Sequence, residues 1–157
     1  MGALLVGFNI LLAQFMPKEH ALDLKFAYSP TEAYDSISNL EEKDRVQYGW
    51  AILFFDMPYL MAYACFFSGL LFRLKTNQRN LAIPFLVALF DFFENSAILH
   101  LLSIFPEEGK LTAILASISS TAKWILVIVL LILVFLGFFK VLLAKKNDLG
   151  STIKAKI

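Results

Sequence analysis

Three stretches of this chain are apolar for long enough to cross a lipid bilayer: about Tyr48 to Phe72, about Leu81 to Phe105 and about Leu111 to Ala144. A span takes roughly 20 apolar residues as α-helix. Inside hydrocarbon the backbone must satisfy its own hydrogen bonds, which a helix does without help from neighbours. Composition agrees, since 59% of the 157 residues are hydrophobic and 16 are Phe. A soluble domain is nearer about 45–50% apolar, so the excess is expected to face lipid. A further run, residues 3–16, is short for a span and is ended by Met16-Pro17-Lys18. No Lys or Arg precedes it and no small-x-small cleavage site follows, which favours a retained helix over a signal peptide. A truncated start would also account for its shortness. The expected fold is therefore all-α: a polytopic membrane protein built as a four-helix transmembrane bundle, residues 1–157 forming one membrane domain.

Loop charges orient the bundle. Arg73, Lys75 and Arg79 fall between the second and third helices, and Lys145, Lys146, Lys154 and Lys156 follow the fourth. The loop over residues 17–47 instead mixes four basic residues with seven acidic ones. The positive-inside rule then places both termini and the tail 145–157 in the cytoplasm of a cell-membrane protein, with the first loop outside. Tyr48 and Trp50 fall where the outer aromatic belt is expected. Within that loop, Ser29-Pro30-Thr31-Glu32 reads as a capping box with Pro at the first helical position. Ala33, Ile37 and Leu40 continue at helical spacing, which predicts a short amphipathic helix. A surface helix on the bundle top is the plainer expectation, and a lid over a cavity the sharper one. Asn39 to Glu42 offers a second cap, able to start an outward extension of the second helix.

Ionisable groups inside the spans locate the interesting part of the molecule. Asp56, Asp91, Glu94 and Lys123 each cost at least roughly 2.5 kcal/mol in hydrocarbon, so such groups face a protein interior or a wet cavity. Asp56 shares a helical face with Tyr59 and Tyr63, and upstream with Gly49 and Arg45. Pro58 removes a backbone donor nearby and is expected to kink the helix. Asp91, Glu94 and Asn95 form one stripe at i, i+3 and i+4. Lys123 shares a stripe with Ser119, Ser120 and Ala116. Counted along their helices, Asp91 and Lys123 both lie roughly 20 Å deep, so three helices can aim polar stripes at one layer. The candidate ligand-binding residues are Asp56, Tyr59, Tyr63, Asp91, Glu94, Asn95, Ser119, Ser120 and Lys123. Three carboxyls against one lysine in a low-dielectric interior call for a proton or a further cation, which Arg45 could supply only by reaching down.

Several function classes lose support. A net charge of +1 gives no concentrated basic surface for nucleic acid. His100 stands about 180° from Asp91 around the helix, which argues against a metal site combining them. No HExxH, paired CxxC, Walker loop or GxSxG is present, so no cofactor is expected and a non-enzyme is favoured. Cys65, the single cysteine, lies in an apolar run and is expected to be buried.

One pattern runs through most of the chain after the first helix. Leu22-Asp23 through Tyr28-Ser29-Pro30-x-Glu32-Ala33 is followed by Tyr48, by Asp56 with Tyr59 and Tyr63, by Asp91-x-x-Glu94-Asn95 and by Thr121-x-Lys123-Trp124. Together these resemble an uncharacterised family of small, mostly bacterial four-helix integral membrane proteins. The resemblance implies the architecture and a shared polar cluster, and no activity, ligand or partner.

The leading expectation is a buried pocket in the outer half of the bundle that binds a lipid headgroup or a small polar molecule. An accessory subunit of a larger membrane complex, with the cluster only fixing helix register, is the alternative. An intramembrane lipid-modifying enzyme and a proton-coupled transporter protomer, which would need a homo-oligomer to make a path, complete the set.

Overall fold

In the computed structural model the described residues, 20–154 with side chains to residue 143, are all-helical and contain no strand. The run 3–16 lies outside the described residues. Five α-helices follow one another: α1 (Pro30–Ser38), α2 (Glu42–Ala51), α3 (Met57–Arg73), α4 (Ile83–Ile104) and α5 (Lys110–Lys154). Helices α2 and α3 are continuous through Ile52–Asp56, one turn of π-helix. Three helical stretches are long and apolar enough to cross a membrane: Glu42–Arg73, Gln78–Ile104 and Lys110–Leu143.

The second long helix thus starts at Glu42 rather than Tyr48, with Glu41 at its N-cap. The fourth runs past Ala144 to Lys154, through most of the expected tail. The π-turn sits immediately before Pro58, where Met57 N–H donates to the Ile52 carbonyl. Pro58 has no N–H to give, and the wider turn takes up the missing bond. It also rotates α2 relative to α3, which separates Arg45 and Gly49 from the face of Asp56. Arg45 instead donates to the Leu40 carbonyl and covers the Phe105 ring, 4.4 Å from its centroid.

Helix α4 is central. It packs extensively against α5 and against α3, whereas α3 and α5 touch each other little. Two apolar clusters result. One joins Leu22, Ile37, Tyr48, Ile52, Ile98 and Leu101, among others. The other joins Leu60, Tyr63, Ala64, Val87 and Ala88. The polar stripes lie between them.

At its C-terminal end α3 closes with a Schellman motif. Thr76 N–H donates to the Leu71 carbonyl and Lys75 N–H to that of Phe72, with Lys75 at φ 53°. The turn brings Leu74 against Gly137 on α5. A Cβ at Gly137 would sit 2.9 Å from Leu74 Cβ and 3.0 Å from its Cδ1. Because a Cβ cannot swing aside, Gly137→Ala is expected to cost about 1–3 kcal/mol. A thermal unfolding midpoint equal to wild type would show that α5 shifts freely here.

The loop helix forms as its capping box predicts. Glu32 N–H donates to Ser29 Oγ at 3.2 Å and Ser29 N–H to Glu32 Oε2 at 2.6 Å, which holds the Glu32 carboxyl below its usual range. Ala33 and Ile37 are fully buried, so α1 caps one end of the bundle. Tyr48, assigned from position to the aromatic belt, is also fully buried, because the first loop folds over it; Trp50 does face outward. Cys65 is exposed on α3, contrary to the expectation from its apolar run, since among the described residues none covers that face of the helix.

Candidate functional site

The residues before α1 form a strap along α5. Tyr28 N–H donates to Ser117 Oγ at 3.0 Å, Thr121 Oγ1 to the Phe26 carbonyl at 3.1 Å and Ser120 Oγ to that of Lys25 at 2.5 Å. Lys123 Nζ reaches the Asp23 carbonyl at 3.0 Å. The polar interruption in the fourth apolar run therefore anchors backbone that lacks a ladder of its own, as buried carbonyls and amides require. Lys25 Nζ donates to Ser36 Oγ at 2.6 Å, and the Tyr34 hydroxyl accepts from Gly109 N–H, tying α1 to the same assembly.

Beneath the strap, α3, α4 and α5 converge. Lys123 Nζ lies 3.1 Å from Asp91 Oδ1 and 2.5 Å from Glu94 Oε2. With the Asp23 carbonyl, two hydrogen bonds and one ion pair engage the ammonium. Tyr63 donates to Asp91 Oδ2 at 3.1 Å, and Asn95 Nδ2 to Asp56 Oδ2 at 2.6 Å. Glu94 Oε1 and Asn95 Oδ1, on fully buried side chains, have no hydrogen-bond partner.

Asp23 completes the layer. Its side chain accepts from the Tyr48 hydroxyl at 2.5 Å, and that hydroxyl accepts from Leu22 N–H at 3.0 Å. Burial pushes the Asp23 carboxyl above its usual range, against the Tyr48 hydrogen bond and the charge of Lys123, which pull it down. A raised carboxyl favours the protonated form in the fold. Its contribution is therefore fully present below the ordinary value of 3.8 and is lost as pH rises through the raised one. Asp23→Asn, which keeps the acceptor for Tyr48, should match wild type in acid and become the more stable of the two toward neutral pH. Thermal midpoints across that range check this, and a constant difference would refute it.

The gap between α3 and α5 is a cavity of about 280 Å³. Its polar end is lined by Asp23, Asp56, Tyr59, Tyr63, Asp91 and Lys123. Its apolar end is lined by Phe67, Val87, Trp124, Val127, Leu130 and Leu131. A larger groove, about 540 Å³, lies between α2 and α4, with Arg45, Trp50 and Phe105 among its walls.

Asp56, Asp91, Glu94, Asn95, Tyr63 and Lys123 thus come together as their spacing implies, with Tyr59 on the cavity wall. Ser119 and Ser120 do not line it. Ser120 is buried against the strap and Ser119 is half-buried beside it. Arg45 does not reach the layer. His100 is exposed on the opposite side of α4, and no group of metal-ligating side chains occurs among the described residues. The contributions of Asp23, Tyr48 and Trp124 are not evident from helical spacing. All three belong to the pattern that carries the resemblance, and an acid set between Leu22 and Leu24 is a local hint that Asp23 turns inward. Comparison with protein-family models, with curated proteins and with solved structures found no match to the chain.

Proposed function

We propose that the chain is a multi-pass protein of the cell membrane that holds a lipid headgroup or small polar molecule in the cavity between α3 and α5. One observation carries the reading: the cavity joins a polar end, built by three helices and the strap, to an apolar end that continues along the outside of the bundle. Pockets of this size with a few convergent polar groups suit small amphiphilic ligands. Insertion fits the exposed apolar surface, with Phe54, Phe72, Leu111 and Phe135 each more than half exposed. Cytoplasmic termini follow from the basic residues at the inner ends of α3 and beyond α5. The resemblance to small bacterial four-helix membrane proteins belongs to the same proposal and adds no activity to it.

Native mass spectrometry of protein gently extracted from its own membrane tests the reading, wild type beside Asp91→Asn with Glu94→Gln. A small molecule bound to wild type and lost in the variant is the expected result. A partner protein retained equally by both would favour the accessory-subunit reading instead. The complete pairing of Lys123 gives that second reading some support, because a satisfied buried pair also fixes register. If register alone is at stake, neutralising Asp91 and Lys123 together should be tolerated better than either change singly.

A further inference from the structure

We infer that the occupant of this cavity is an amphiphile whose head is a positively charged amine. The inference rests on the proposed binding role and names the class of ligand. Three carboxyl groups, Asp23, Asp56 and Asp91, line the polar end, and Glu94 stands one contact behind them through Lys123. Lys123 is the cation among the lining residues, and the Asp23 carbonyl, Asp91 and Glu94 already engage it. An incoming anion would face the carboxyls of the polar end. An incoming ammonium supplies donors to Asp56 and Asp91 and takes the place of the proton that burial favours on Asp23.

Among the lining residues the unpartnered buried side-chain atom is Trp124 Nε1, a donor. An oxygen on the same head would match it. Tyr59, Tyr63 and Trp124 add aromatic faces, which attract ammonium through their quadrupoles.

The apolar end accounts for the tail. From Lys123 the lining continues along α5 through Val127 and Leu130 to Leu131, roughly 12 Å of helix. Leu131 is 54% exposed, so the far end of the groove opens sideways onto the surface that the proposal gives to lipid. A chain can leave there without crossing the strap.

Dodecylamine, dodecanol and dodecanoate at neutral pH, each added at equal mole fraction to protein in maltoside micelles, test the head independently of the tail. Fluorescence of Trp124 in a Trp50→Phe background reads occupancy. The amine should act at a mole fraction at least about tenfold lower than the alcohol, a margin that one new charge-assisted contact provides. Dodecanoate should be the weakest. Asp56→Asn keeps the acceptor for Asn95 and should bring the amine close to the alcohol. Val127→Phe, which narrows the tail groove, should weaken both while keeping their ratio. A preference for dodecanoate, or three equal responses, would overturn the amine assignment and leave amphiphile binding intact. No response to any of the three would remove the binding role itself.

Discussion

Lys123→Met is expected to destabilise the folded bundle by about 3–5 kcal/mol, the loss seen when one partner of a buried ion pair is removed. Methionine fills much of the same volume, so packing is not the main term. What changes is that Asp91 Oδ1, Glu94 Oε2 and the Asp23 carbonyl lose their shared donor at once. Glu94 is fully buried, so its stranded charge is costly. Adding Glu94→Gln should recover part of the loss, because it removes one stranded charge, and the double-mutant cycle measures the coupling directly. Denaturation by SDS in mixed micelles gives the free energies. A loss near about 0.6 kcal/mol, the average for an interhelical polar bond in a membrane protein, would make Lys123 an ordinary pin between helices.

That single residue shows how far sequence alone reaches. The spacing of Asp91, Glu94 and Lys123 within apolar runs places them in one layer, because helical rise and periodicity are fixed by the backbone. The contacts at 3.1 Å and 2.5 Å agree. Arg45 shows where such counting ends. It assumes one uninterrupted periodicity, and the π-turn at Ile52–Asp56 breaks it. Pro58 announces that a backbone bond is missing there without saying how the helix absorbs the loss. The strap is less legible still. Its backbone is held by side chains on α5 roughly a hundred residues away in the chain, as in the pairing of Tyr28 with Ser117 and of Asp23 with Lys123. Ser119 and Ser120 look equally placed to line a pocket, and only the path of the strap decides that Ser120 faces backbone instead.

Tyr48→Phe should release the strap. The ring keeps its place in the cluster with Leu22 and Ile37, so the substitution isolates one hydroxyl that accepts from Leu22 N–H and donates to Asp23 Oδ1. Both partners are buried, and each stranded group costs about 1–3 kcal/mol. The sum, about 2–6 kcal/mol, exceeds what a short segment with a single 3-10 turn of its own can absorb in place. Opening is therefore expected to be local, the strap lifting from α5 while α3, α4 and α5 stay packed. Hydrogen exchange in residues 20–29 should quicken by roughly 30-fold for every 2 kcal/mol lost, with little change along α4. The consequence reaches the site, because Asp23 and Leu24 form part of the cavity wall and the Asp23 carbonyl holds Lys123. A lifted strap would open the polar end from above and free one donor of Lys123. Loss of a bound molecule should then be faster in Tyr48→Phe than in wild type by native mass spectrometry. Unchanged protection in residues 20–29 alongside a lower global stability would mean that the strap and the bundle unfold as one, and that Asp23 is a fixed wall of the cavity instead of a movable one.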